Sequence, residues 1–211
     1  MRGRPRAFCR ETALELATRL FWCKGYEATS IADLTQAMGI ASPSLYAAFG
    51  SKEALYAEAL AHYDKVYGAQ FWTRFLAAKT VREAVGAYLM DTAARVTPDA
   101  GERPRGCMVA LSTVGSEGHA QLGEAVGAAR ADGLERLAAR IGQGVAEGEI
   151  PPSADIGQLA RFVQTVQNGM AVQSRNGASR AELEGVVCIA MQGWDAHLAA
   201  AADGQRASAG G

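Results

Sequence analysis

The stretch IASPSLYAAFGSKEAL, residues 40–55, decides how this chain is to be read. Ser42-Pro43 precedes a short run with apolar residues at Leu45 and Phe49, and Gly50-Ser51 follows it. Proline has no backbone N–H to donate, so it suits the first turn of a helix, where that donor would lack an intrahelical partner. The spacing predicts a helix capped by Ser42, opened by Pro43 and ended near Phe49. Ser51 then caps the next helix, and Glu53 sits favourably at its positive end.

Working outward, the preceding residues predict a second short helix over 31–38. Ser30 and Asp33 have the three-residue spacing of a capping box, and Gly39 supplies a stop. A first helix over 8–24 carries Ala13, Leu16, Ala17, Leu20 and Phe21 at helical spacing and ends at Gly25. Two short helices joined by about four residues form a helix-turn-helix. Ile31, Leu34, Met38, Ile40, Leu45 and Phe49 are the positions expected to lock it onto helix one.

These residues carry a family resemblance. Gly25-Tyr26-Glu27-Ala28-Thr29-Ser30, Leu34, Gly39-Ile40, Leu45-Tyr46, Phe49 and Ser51-Lys52-Glu53-Ala54-Leu55 together resemble the DNA-binding segment of the TetR family of bacterial repressors. The match covers residues 8–60 without a gap. It implies an all-α homodimer that binds double-stranded palindromic operator DNA and releases it when a small molecule occupies the larger domain. It also implies that Tyr46 and Lys52 meet phosphates and that Thr29 and Ser30 lie at a DNA-facing helix N-terminus. Family members often have histidines or aromatics after the Leu-Tyr pair. Ala47-Ala48 stands there in this chain, so one phosphate contact is expected to be missing.

The recognition helix itself has no Arg, Lys, Asn or Gln between Ser42 and Phe49, and those are the side chains that pair twice with a base edge. Ser42, Ser44 and Tyr46 can bond singly, while Pro43 and Ala47 suit thymine methyl groups. Affinity is then expected from phosphates and from the N-terminal arm, where Arg2, Arg4, Arg6 and Arg10 precede the first acid. Arg4 and Arg6 are the arm's DNA-binding candidates. A solubilising terminus is the other reading of the arm. Gln36 and Arg6 are alternative sources of base contacts.

Beyond residue 50 the pattern stays helical, which gives an all-α fold of about nine helices. The divisions expected are 1–50 for the arm and helix-turn-helix, 51–202 for ligand binding and dimerisation, and 203–211 for a disordered tail. A fourth helix should run from 51 to about 77 and a fifth, with a Thr80/Glu83 capping box, to 96. The rest should span 107–114, 117–147, 154–175 and 179–201. The last two carry apolar stripes, and the resemblance implies that such helices pair with their symmetry mates. Leu183, Val187 and Trp194 are the expected interface. A pocket for a partly apolar effector is expected among Phe71, Trp72, Phe75, Met90, Cys107, Met108, Phe162 and Met170, with Gln164 and Gln167 as orienting amides. Ordinary packing is the plainer reading of each.

Several function classes fall away. The 211 residues have a formal net charge of −1 and no unbroken run of eighteen apolar residues, so no membrane partner is expected. The basic N-terminus leads into an amphipathic segment and not into a secretion signal, so a cytoplasmic protein is expected. The four cysteines and three histidines are scattered, which argues against a metal site or disulfides. Buried small apolar roles are expected for most of the cysteines, with a redox role for Cys107 the sharper alternative. No cofactor is expected. Neither a paired nucleophile and base nor a glycine-rich phosphate loop is present, so no enzyme is expected. Two DNA-binding functions remain: a ligand-responsive regulator, as the resemblance implies, or a ligand-independent structural protein on the same fold.

Overall fold

The computed structural model describes residues 9–99 and 101–209, with side chains as far as 204. Ten α-helices and no strand occur among the described residues: α1 (Arg10–Lys24), α2 (Ile31–Met38), α3 (Ser42–Phe49), α4 (Lys52–Tyr63), α5 (Thr73–Ala77), α6 (Val81–Val96), α7 (Met108–Leu111), α8 (Ala120–Ala146), α9 (Ile156–Arg175) and α10 (Arg180–Ala209). They form two compact units, Met1–Gly68 with Ser112–Gly127, and Ala69–Leu111 with Ala128–Gly211. The boundary expected after residue 50 therefore falls after 68, because α4 packs along α1.

In the first unit, α1 buries Ala13, Ala17, Phe21 and Trp22, and α4 buries Leu55, Tyr56, Ala59, Leu60 and Tyr63. Their rings interlock edge to face, with Phe21 5.0 Å from Tyr56 and Trp22 4.9 Å from Tyr63. Edge-on pairs of this kind add to the stabilisation from buried area. Leu34, Leu45 and Phe49 bury from α2 and α3, whereas Ile31, Met38 and Ile40 remain partly exposed.

The single fourth helix expected over 51–77 is broken in the structure. A π-helical turn at Asp64–Gly68 and a 3-10 turn at Ala69–Phe71 separate α4 from α5. The wider turn brings the Tyr67 hydroxyl onto the Glu15 carboxylate, which also accepts from His62 at 2.8 Å and Arg19 at 2.6 Å. A side chain at Gly68 would require the Asp64 carboxylate to move aside. Apolar spacing continues through this break, so periodicity alone cannot reveal it.

In the second unit, arginines close the helix ends that a long loop leaves open. Arg103 donates to the Arg95 carbonyl at 3.2 Å, Arg105 to the Ser174 and Ala178 carbonyls, and Arg130 to the Val109 carbonyl at 2.9 Å. Unsatisfied carbonyls at a helix C-terminus attract cations, so these contacts fasten residues 101–111. The tail expected to be disordered from 203 continues α10 to Ala209. Alanines 199–202 favour helix and carry it past the expected end.

The expectation that most cysteines are buried holds for Cys107 alone, while Cys9, Cys23 and Cys188 are exposed. No group of three or more potential metal ligands occurs among the described residues, and no helix there is long and apolar enough to cross a membrane.

Candidate nucleic-acid interface

The helix-turn-helix is set up by local chemistry. Ser30 Oγ accepts from the Asp33 N–H at 3.0 Å, and the Asp33 carboxylate accepts from the Ser30 N–H at 2.9 Å, which completes the expected capping box. The Ser30 backbone bond, Lys24 at 2.9 Å and the Ser30 hydroxyl together push the Asp33 carboxyl down to about 2. Gly39 ends α2 at φ 66°, ψ 33°, a left-handed conformation that favours glycine. Ile40 and Ala41 complete the turn. Ala41 occupies the cap position of α3 and makes no side-chain bond, so Ser42 is the first helical residue and not the cap. Ser51 caps α4 as expected, accepting from the Ala54 N–H at 3.1 Å.

With Leu45 and Phe49 turned inward, α3 shows Ser42, Pro43, Ser44, Tyr46 and Ala47 to solvent, and Tyr46 is 47 % exposed. Small residues allow close approach of a backbone, and the hydroxyls are single donors and acceptors. Ser30 is also exposed, at the N-terminus of α2. Thr29 does not join this surface. It is fully buried, and its hydroxyl donates to the Gly25 carbonyl at 2.6 Å, so a role for this side chain in meeting DNA is corrected to one in holding the turn.

Lys52 is half-buried, with Nζ 4.2 Å from the centroid of the Tyr26 ring. Burial and the Glu53 carboxylate raise the Tyr26 hydroxyl well above its ordinary range, so it stays protonated and donates to Glu53 at 2.9 Å. Of the expected basic arm, Arg2, Arg4 and Arg6 lie outside the described residues. Arg10 is committed elsewhere. Its guanidinium pairs with both Glu58 oxygens at 2.7 Å, donates to the Ala48 carbonyl at 3.3 Å and covers the Phe49 ring at 4.5 Å. It fastens the C-terminal end of α3 to α1 and α4. The packing roles of Tyr26 and Arg10 were not legible in the sequence, because Lys52, Glu53 and Glu58, which they meet here, stand 26, 27 and 48 positions away.

The second-unit expectations fare unevenly. Trp72, Phe75 and Tyr88 form one aromatic cluster, with centroids 4.9–5.9 Å apart, and Phe71 lies under Arg95. Phe75, Cys107, Met108 and Met170 are buried, while Gln164 donates to the Arg130 carbonyl at 2.8 Å. Gln167 is partly exposed. Met90 lines an open cleft of about 540 Å³ with Val187, Met191, Arg74 and Arg82. Phe162 lines a different hollow of about 270 Å³ with Trp194, Gly193 and His197. Among the described residues, several of those expected to share one pocket are buried, while Met90 and Phe162 line different hollows. Leu183, Val187 and Trp194 are almost fully buried within the chain, although Val187 and Trp194 also border the two hollows. The large apolar side chains that α9 and α10 do expose are Phe162, Val172, Val186 and Ile189, the last at 71 %. A stripe reads the same from either side of a helix, so spacing could not separate the two sets.

Residues 13–59 match the model of bacterial regulatory proteins of the tetR family. The chain is 35% identical over 195 residues to the HTH-type transcriptional repressor ComR of Escherichia coli (strain K12), covering 92% of both chains. A cysteine mutant of the TetR family transcriptional regulator CifR, solved with 26-bp double-strand operator DNA, is 42% identical, with a TM-score of 0.83 over 90% of this chain and 98% of that one. A TetR regulator from Rhodococcus sp. RHA1 is 36% identical, with a TM-score of 0.58 over 86% and 97%. The helix-turn-helix, its exposed serine-proline face and a likeness spanning nearly the whole chain lead to one assignment: this protein belongs to the TetR family and is a DNA-binding transcriptional regulator, not an enzyme.

Proposed function

We propose that the protein represses transcription by binding palindromic operator DNA as a homodimer, in the cytoplasm where that DNA lies. The observation that carries this reading is the exposed face of α3, a short helix held by Leu45 and Phe49 that offers Ser42, Pro43, Ser44 and Tyr46 outward. In the major groove, the serine hydroxyls bond base edges singly and the Pro43 ring meets a thymine methyl group. Ser30, Tyr46, Lys52 and the arm residues Arg4 and Arg6 take phosphates, which fix register without reading sequence. CifR's complex with a 26-bp operator supports a duplex of that length as the binding partner.

The outward Val186 and Ile189 of α10, with Phe162 and Val172 of α9, support a two-fold contact between copies. Such a dimer sets two recognition helices about 34 Å apart, one turn of DNA. A partly apolar small molecule bound in the second unit releases the operator. Its floor is drawn from the methionines and aromatics there, of which Met90 and Phe162 already line open hollows.

Selection of bound duplexes from a random pool tests the reading. A palindrome with half-sites about ten base pairs apart is expected. Ser44→Ala and Pro43→Ala should each change preference at a few positions by about 1 kcal/mol, less than a bidentate pair would. Recovery of DNA without a shared sequence would sink the operator reading.

A further inference from the structure

Lys52 does not stand alone, and what holds it comes from a distant part of the chain. Its ammonium rests on the Tyr26 ring. That ring is buried, its hydroxyl is tied to Glu53, and it meets the rings of Phe21, Tyr56 and His119. Tyr56 lies edge-on with centroids 5.1 Å apart, and His119 approaches to 4.6 Å at 69°. The His119 ring is in turn held by the Glu27 carboxylate through Nε2. Glu27 adjoins Tyr26, so His119 is gripped by two successive residues of the turn that enters α2.

His119 follows the helix-turn-helix by more than sixty positions, yet its segment, Ser112–Gly127, belongs to the same compact unit. Ser112 anchors one end through its hydroxyl, 2.9 Å from that of Tyr56. Within the segment, Gly115 and Gly123 approach so closely that a Cβ on either would come within 2.9 Å or 2.5 Å of the other's Cα. The two glycines pack the segment on itself, and Ser112 and His119 attach it to the rest of the unit. It is continuous in the chain with α7 before it and with the remainder of α8 after it.

Resting on the DNA-binding reading above, we propose that His119 is a positioning residue for DNA binding: it fixes the Tyr26 ring as the platform that presents Lys52 to a phosphate. A free lysine stem samples many rotamers, and ordering it on binding weakens the contact. A ring face that already holds the ammonium removes part of that loss. Donation of the Tyr26 hydroxyl to a carboxylate enriches the ring and strengthens its hold. Displacement of residues 112–127 withdraws His119, loosens the ring and lowers affinity without altering any group that touches DNA.

A double-mutant cycle on the full chain tests this, with a mixed-sequence 26-bp duplex as probe because a phosphate contact needs no particular sequence. Lys52→Ala should weaken binding by about fivefold and flatten the salt dependence by about one unit per protomer. His119→Ala should weaken it by about threefold in the wild-type background and not at all in Lys52→Ala. His119→Phe, which keeps a ring beside Tyr26 but drops the bond to Glu27, should bind nearly as wild type and guards against a folding defect in the alanine variant. An equal loss from His119→Ala in both backgrounds, no loss in either, or a phenylalanine variant as weak as the alanine one would overturn the relay alone. A wild-type protein that does not bind the duplex would overturn the DNA-binding reading, and the relay with it.

Discussion

The two units turn opposite chemistry outward from the same kind of helix. In the first, α3 buries Leu45 and Phe49 and shows serines, a proline and a tyrosine. In the second, α9 and α10 bury Leu159, Val163, Met170, Leu183, Val187 and Trp194, yet still show Phe162, Val172, Val186 and Ile189. A helix needs about one apolar stripe to join a core. An outer face that stays apolar after the stripe is buried is suited to another apolar surface, and one lined by small polar groups to a polar partner at close range. The comparison therefore separates partner chemistry from fold stability. It also predicts that substitutions on the inner and outer faces fail in different ways.

The largest effect should come from the inner face of the first unit. Leu45→Ala removes a fully buried side chain and should cost about 3 kcal/mol of unfolding free energy in urea. A loss below about 1 kcal/mol would mean that α3 is not packed as described. Outer-face changes in the second unit should instead spare the fold. Ile189→Asp is expected to give a folded monomer by sedimentation at concentrations where the wild type is a dimer, with a thermal midpoint close to that of the wild-type subunit. A persistent dimer would move the interface away from this face.

Arg10→Ala probes the border between fold and partner. Its pair with Glu58 is half-exposed, so the stability loss should be at most about 1 kcal/mol. Operator affinity should fall because the end of α3 is loosened, but its salt dependence should not change, since Arg10 is committed within the protein. A flatter salt dependence would put Arg10 on a phosphate after all.

The smallest effect concerns Asp33. Its folded carboxyl lies at about 2, below the value of about 3.9 expected in an unfolded chain. A depressed carboxyl contributes stability that is present above the unfolded value and lost as pH falls through the folded one. Thermal midpoints should therefore drop between about pH 4 and about pH 2, and Asp33→Asn should remove part of that dependence. An identical profile for the variant would mean that the capping box adds nothing.

By itself the sequence determined the helix-turn-helix. The Ser30/Asp33 box, Gly39 and Ser51 act on amides within four positions, and their geometry follows from residue type alone. The Thr80/Glu83 box that opens α6 was legible for the same reason. Only the tertiary structure decided what each of these elements meets. It buried Thr29, captured Arg10 on Glu58 48 positions away, and brought His119 to Glu27 across 92. It also interrupted a periodic run at residues 64–71, where Tyr67 reaches Glu15, and chose which apolar residues of α9 and α10 turn inward. Local caps satisfy backbone groups and need no distant partner. The side of a helix that is covered, and the charge that finds a carboxylate, depend on packing between elements, for which spacing along one element carries no information.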